Sequence, residues 1–331
     1  MSGGMINLNV YYSAACNLNC DYCAAAESNS QENEAIRQAI TNGSFQKKVI
    51  AKCEELQPIT LGIWGLEPSI NQDLWNDFIT PILTNCESIK GIFLSTNGVL
   101  FDPEIWYAPL YQICNTQQRK IKLWVQWSID GPDYYPEAKE NLMSAIELYE
   151  YNPYFRVKFS TKSSLTADNI HNWSIDEWYD YMTDLRCECN EIANENCDIL
   201  MVGNPPTLVR PGNYTKEDGI KWADWVPELT IPEHLQCSAG NSSFTIDYEG
   251  TIYDCPLKRN HQDCAILDFD TFLKHAIDLY IAGEIKQNDW HDLYNIVLSQ
   301  YCWANSSIDD LDSYIKIWGN GAVPFVLPEE E

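Results

Sequence analysis

The feature that most limits what this chain can fold into is a repeated exchange between two hydrophobic periods. Short runs with strand character alternate with longer runs in which apolar side chains recur every three or four residues. Residues 5–13, INLNVYYSA, read as the first strand, rich in β-branched and aromatic side chains. A cysteine-rich loop separates it from a helix over 33–56, whose apolar positions include Ile36, Ile40, Val49 and Cys53 and which breaks near Gly43. A second strand at 59–64 and a helix at 69–85 follow. The third strand, 89–95, ends at Thr96-Asn97-Gly98, and Asp102-Pro103 opens a helix to about Thr116 with proline at its first position. A strand at 120–129, a helix at 135–150, a strand at 155–161, a helical region at 168–193 and a strand at 197–203 complete the run.

Six strand–helix units predict an α/β fold with a parallel sheet and helices outside it, either doubly wound or a barrel. In both, functional groups gather at the C-terminal ends of the strands. The pattern changes after residue 205. A Pro-rich connection, a Trp-rich helix near 215–228, a hairpin with its turn at Tyr248-Glu249-Gly250 and a mostly helical tail form a small α+β extension. The domain expectation is therefore 1–205 for the core and 206–331 for the extension.

Composition narrows the function. The formal net charge is −27, which argues against tight binding to bare nucleic acid. No run of 18 apolar residues suggests a membrane span, and no secretory signal precedes the first strand, so a cytoplasmic location is the expectation. An odd count of 13 Cys does not fit a disulfide scaffold. Cys53, Cys86 and Cys114 read as buried small hydrophobes. Cys187, Cys189 and Cys197 read the same way, because helical residues two apart face different sides.

Cys16, Cys20 and Cys23 are different, because they fall within eight residues as C-x3-C-x2-C. Three thiolates on one short loop suit an iron–sulfur cluster, with a structural zinc site as the competitor. Zinc usually takes four ligands, and no fourth Cys or His lies close in sequence.

The spacing, with Tyr22 just before the last cysteine, resembles the radical SAM superfamily. Three further segments share that resemblance. Trp64-Gly65-Leu66-Glu67-Pro68 is similar to the family's GGEP segment, with Leu66 in place of a glycine. Leu94-Ser95-Thr96-Asn97-Gly98 is similar to its STNG segment, and Ser128-Ile129-Asp130-Gly131 to its S-[IL]-D-G segment. The resemblance implies a partial (β/α)6 TIM-like barrel. It also implies a [4Fe–4S] cluster on Cys16, Cys20 and Cys23 whose open iron binds S-adenosylmethionine. One-electron cleavage would give a 5′-deoxyadenosyl radical that abstracts a substrate hydrogen. Gly65, Glu67, Ser95, Thr96, Asn97, Ser128 and Asp130 would contact S-adenosylmethionine, with Tyr22, Met201 and Val202 near the adenine. Strand alternation places Trp124, Gln126, Ser128 and Asp130 on one face, and Arg156, Lys158, Ser160 and Lys162 on the polar face of the next strand. An inward Lys158 is costly unless paired, which makes it a candidate contact for S-adenosylmethionine or substrate.

Cys237 and Cys255 bracket the hairpin, which is similar to the opening of the family's twitch and SPASM extensions. With Cys264 and Cys302 they would hold one auxiliary [4Fe–4S] cluster. The resemblance implies a flavodoxin- or ferredoxin-type electron donor and modification of a peptide or protein side chain. The alternatives are dehydrogenation of a sugar or cyclitol, and a non-catalytic metal-binding scaffold. Because the triad begins at residue 16, no leader-recognition domain is expected to be fused ahead of the barrel.

Overall fold

The computed structural model describes residues 6–20, 28–131, 134–165, 172, 174–193, 198–200, 207–208, 243–253, 269–286 and 312. Strands β1 (Asn7–Ser13), β2 (Thr60–Gly65), β3 (Gly91–Thr96), β4 (Ile121–Ser128), β5 (Phe155–Lys162) and β7 (Asp198–Leu200) lie side by side in chain order, all parallel. A short strand β6 (Ser164–Leu165) pairs with β8 (Thr207–Leu208) in a separate two-stranded sheet.

The helices begin where local chemistry dictates. Helix α1 (Ser30–Thr41) starts at Asn29, whose side chain accepts from Glu32 N at 3.0 Å. Gly43, at φ +75°, separates it from α2 (Ser44–Leu56), a conformation that needs no Cβ. The helix expected over 69–85 is instead a 3-10 turn (Pro68–Leu74) followed by α3 (Trp75–Asn85). Asp102 caps α4 (Pro103–Gln117), with proline in the first turn as the sequence predicts. Helix α5 spans Pro136–Glu147, and a Ser174/Glu177 capping box starts α6 (Ile175–Ile192). Helix α7 is Phe269–Ile281. Among the described residues no helix is long and apolar enough to cross a membrane.

The strand order argues against a doubly wound sheet. A doubly wound sheet reverses direction at its switch point. Here each strand is added on the same side as the one before it. Right-handed crossovers advancing in one direction put every helix on one face. The helices accordingly pack α1 on α2, α2 on α3, α3 on α4, α4 on α5 and α5 on α6 as a single layer. The covered face holds the core. On β4 it buries Leu123, Val125 and Trp127, while Trp124, on the other face, is exposed.

The sheet does not begin at β1. Strand β9 (Ser243–Ile246) of the hairpin pairs parallel with β1, and β10 (Ile252–Tyr253) pairs antiparallel with β9. Asn9 Nδ2 donates to Ser243 Oγ at 2.9 Å, and Lys48 Nζ on α2 to the carbonyl of Tyr248 at 2.9 Å. Hydrogen bonds of the core sheet thus cross the 205/206 boundary. Among the described residues the eight strands form an open sheet, with β10 and β7 as its edges.

Candidate functional site

The loop carrying Cys16 and Cys20 leaves β1 at a bulge. Tyr11 opposes Trp64 and Ser13 opposes Gly65, so Tyr12 is the extra residue. Gly65 sits at φ +142°, and a Cβ there would overlap the Ser13 backbone. That close approach lets Leu66 N donate to Ser13 O at 3.0 Å and Glu67 N to Ala15 O at 3.0 Å. The base of the loop is bonded from below as well. Asn33 Oδ1 on α1 accepts from Ala14 N at 3.1 Å, and Asn71 Nδ2 in the 3-10 turn donates to Tyr12 O at 2.9 Å. The two buried amides also bond each other, and Arg37 joins them through Asn71 Oδ1 at 3.2 Å.

Arg37 forms a forked pair with Asp73, at 2.8 and 2.6 Å. These hydrogen bonds hold the Asp73 carboxyl below the ordinary aspartate range. A depressed pKa means stability that is present above the unfolded value and lost as pH falls through the folded one. Asp73→Asn should therefore flatten the acid limb of a urea-unfolding profile measured against pH. The side chains are 31% and 56% exposed, so the effect stays under about 1 kcal/mol.

Glu67, 1% exposed, ties the ends of β2 and β3 together. Its Oε1 accepts from Ser69 N at 2.9 Å and Thr96 Oγ1 at 2.8 Å, and its Oε2 from Asn97 N at 2.7 Å. Burial raises its pKa, and these donors oppose the rise. Thr96 is itself buried and also receives Gly98 N at 3.0 Å. Glu67 and Thr96 thus hold the strand ends together. Asn97 faces the cysteine loop: its Nδ2 donates to Asn17 Oδ1 at 2.9 Å and to Cys16 Sγ at 3.7 Å. Gly98, at φ +78°, packs against the Trp127 indole, and Asn141 Nδ2 on α5 holds the carbonyls of Gly98 and Val99, each at 2.9 Å. Ser95 lies half-buried on the face away from the helices.

At the end of β4, Ser128 is half-buried and Asp130 is 8% exposed. Tyr134 donates from its hydroxyl to Asn97 O at 3.4 Å. Its phenol is raised chiefly by burial, then by the charges of Asp130, Cys20 and Glu67. On the open face of the sheet, Trp64 and Phe93 lie 5.8 Å apart, and Phe93 meets Trp124 edge-on at 5.4 Å. Lys158 Nζ sits 4.1 Å from the Trp124 ring centroid. Lys158 thus has an aromatic face beside it.

Cys16 and Cys20 are half-buried. Leu18 N donates to Cys16 Sγ at 3.3 Å, so Cys16 receives one main-chain and one side-chain donor. N–H donors aimed at sulfur suit a thiolate ligand, so the residues present fit a metal centre held by this loop. Tyr22, Cys23, Met201, Val202, Cys197, Cys237, Cys255, Cys264 and Cys302 lie outside the described residues. Among the described ones no three His, Cys, Asp or Glu form a metal cage. On α6, Cys187 is exposed while Cys189 is buried against Met143, so the two face apart. Cys53, Cys86 and Cys114 are buried, and burial pushes the Cys114 thiol up to about 11.

Sequence reasoning missed Asn33, Asn71 and Tyr134. The two asparagines sit in segments whose apolar period reads as ordinary helix, and nothing in one sequence marks a buried amide. Tyr134 carried a usable signal, since it follows the Asp130-Gly131-Pro132 turn at a strand end.

No protein-family profile matches the chain, and no curated protein matches it. Among solved structures, the crystal structure of Streptococcus suis SuiB bound to S-adenosylmethionine aligns with 76% of this chain and 58% of its own, at 13% identity and a TM-score of 0.33. The chain thus spans less than two thirds of that protein's length, and a likeness of this size leaves the site's chemistry to be read from its own residues.

Proposed function

We propose that the chain is a radical SAM enzyme whose reaction centre lies at the C-terminal ends of β1 to β4. The observation that carries the reading is convergence. Four segments far apart in sequence, each resembling a family motif, follow the adjacent parallel strands β1 to β4, and hydrogen bonds link Glu67 to Asn97, Asn97 to Cys16 and Tyr134 to Asn97. Chance motif matches have no reason to share one end of one sheet. The cluster ligands in this reading are Cys16, Cys20 and Cys23. When bound there, a [4Fe–4S] cluster supplies the electron that cleaves S-adenosylmethionine to a 5′-deoxyadenosyl radical.

The chain's own residues bind, orient and exclude water. In this reading Ser95, Ser128 and Asp130, at the strand ends, contact the ribose and the methionine carboxylate. Glu67 and Thr96 act from behind, fixing the main chain that presents them. The substrate lies along the open face of the sheet, against Trp124 and Lys158. A peptide or protein side chain is the proposed substrate class, and a flavodoxin or ferredoxin the proposed electron donor. The second cysteine set, Cys237, Cys255, Cys264 and Cys302, would hold an auxiliary cluster.

Anaerobic reconstitution with iron and sulfide, reduction by dithionite and addition of S-adenosylmethionine tests the reading. The expected result is release of 5′-deoxyadenosine and methionine. A loaded, reduced protein that releases neither would overturn it in favour of a non-catalytic metal scaffold.

A further inference from the structure

Asn97 is held more firmly than contact with a ligand would require. Its main-chain N–H is taken by Glu67 Oε2 at 2.7 Å, and the two carbonyls that follow are held by Asn141. Its side-chain orientation is also fixed. Val99 N donates to Asn97 Oδ1 at 3.0 Å. A main-chain N–H can be answered only by the amide oxygen, so the NH2 group must point the other way. That direction leads to Asn17 Oδ1 and to Cys16 Sγ. With Leu18 N already on the same sulfur, Cys16 receives two donors.

A ligand sulfur gains negative charge when its cluster is reduced. An N–H aimed at it stabilises the reduced state more than the oxidised one and raises the potential. We infer that Asn97 is a positioning residue that acts through Cys16: its amide donates to the ligand sulfur and raises the reduction potential of the iron–sulfur centre held there, with Glu67 fixing the geometry. The inference rests on the cluster reading above.

Two substitutions test it. Asn97→Asp keeps an oxygen for Val99 N and loses the donor to sulfur. Asn97→Ala loses both. Each protein is reconstituted, its iron counted, and its midpoint potential measured by a dithionite titration followed by electron paramagnetic resonance, without S-adenosylmethionine. The signal of interest is the one lost in Cys16→Ala. The expected result is near-unchanged iron loading, with the potential displaced to more negative values in both variants and further in Asn97→Asp, whose carboxylate adds charge beside the sulfur. Loaded variants with the potential of the unsubstituted protein would overturn the inference and leave the cluster reading intact. Loss of the cluster in both variants would make Asn97 purely structural and overturn it as well. Absence of any Cys16-dependent signal in the unsubstituted protein would overturn the cluster reading, and the inference with it.

Discussion

Replacing Cys16, Cys20 and Cys23 together with alanine is expected to abolish 5′-deoxyadenosine release while leaving the fold in place. The loop's supports do not depend on the thiols. Asn33 and Asn71 hold its base through main-chain atoms of Ala14 and Tyr12, and the turn after β2 binds Ala15 through the main chain of Glu67. Circular dichroism and urea unfolding of the variant should therefore match the unsubstituted protein when both are free of iron. Iron content separates the two cysteine sets. A second cluster on Cys237, Cys255, Cys264 and Cys302 predicts that part of the iron and its visible absorption persists. Complete loss of iron would remove the auxiliary cluster from the proposal. Continued 5′-deoxyadenosine release would remove the triad from the chemistry.

The largest effect on stability is expected from Trp127→Ala. Trp127 is fully buried on the helix-facing side of β4, 4.8 Å from the Phe101 ring, and its Nε1 donates to Ala138 O at 3.0 Å. Truncation leaves a cavity and removes the indole hydrogen bond, at a cost of about 3–5 kcal/mol. It also removes the surface against which Gly98 packs, so the segment carrying Asn97 loosens. Trp124→Ala, three residues earlier on the opposite face, is the control. Trp124 is 37% exposed and has Phe93, Lys158 and Ser160 as partners, so its loss should cost only about 1–2 kcal/mol. Urea unfolding followed by circular dichroism separates the two. Similar losses in both would contradict the assignment of faces.

That contrast also marks how far sequence reasoning reaches. Period-two alternation in IKLWVQWS assigns Trp124 and Trp127 to opposite faces correctly, because one face of β4 is buried and the other is not. Helix starts with a capping side chain were equally readable, as at Asp102-Pro103. Alternation cannot say which strand lies beside which. It therefore left doubly wound and barrel arrangements open until the uniform strand order decided against the first. Nor does local pattern carry contacts between distant segments. The pairing of β9 with β1 joins segments whose individual strand character was plain. At the candidate site, residue types and strand-end positions were legible. The division of labour was not. Glu67 looks like a ligand contact in sequence, and in the structure its carboxylate also accepts from three donors of its own chain. Only the depth of its burial shows that, and burial is a property of the packed whole.

The parallel pairing of β9 with β1 also sets an order of events during synthesis. Asn9 leaves the ribosome 234 residues before its partner Ser243. Until then β1 has a bare edge, open to pairing with other chains. Closing so long a loop is slow, because its entropy must be spent before the new contacts repay it. The nascent cysteine loop thus emerges beside an unfinished edge strand. Truncation before the hairpin should give a product that aggregates, and metal loading of the intact chain should follow arrival of the hairpin.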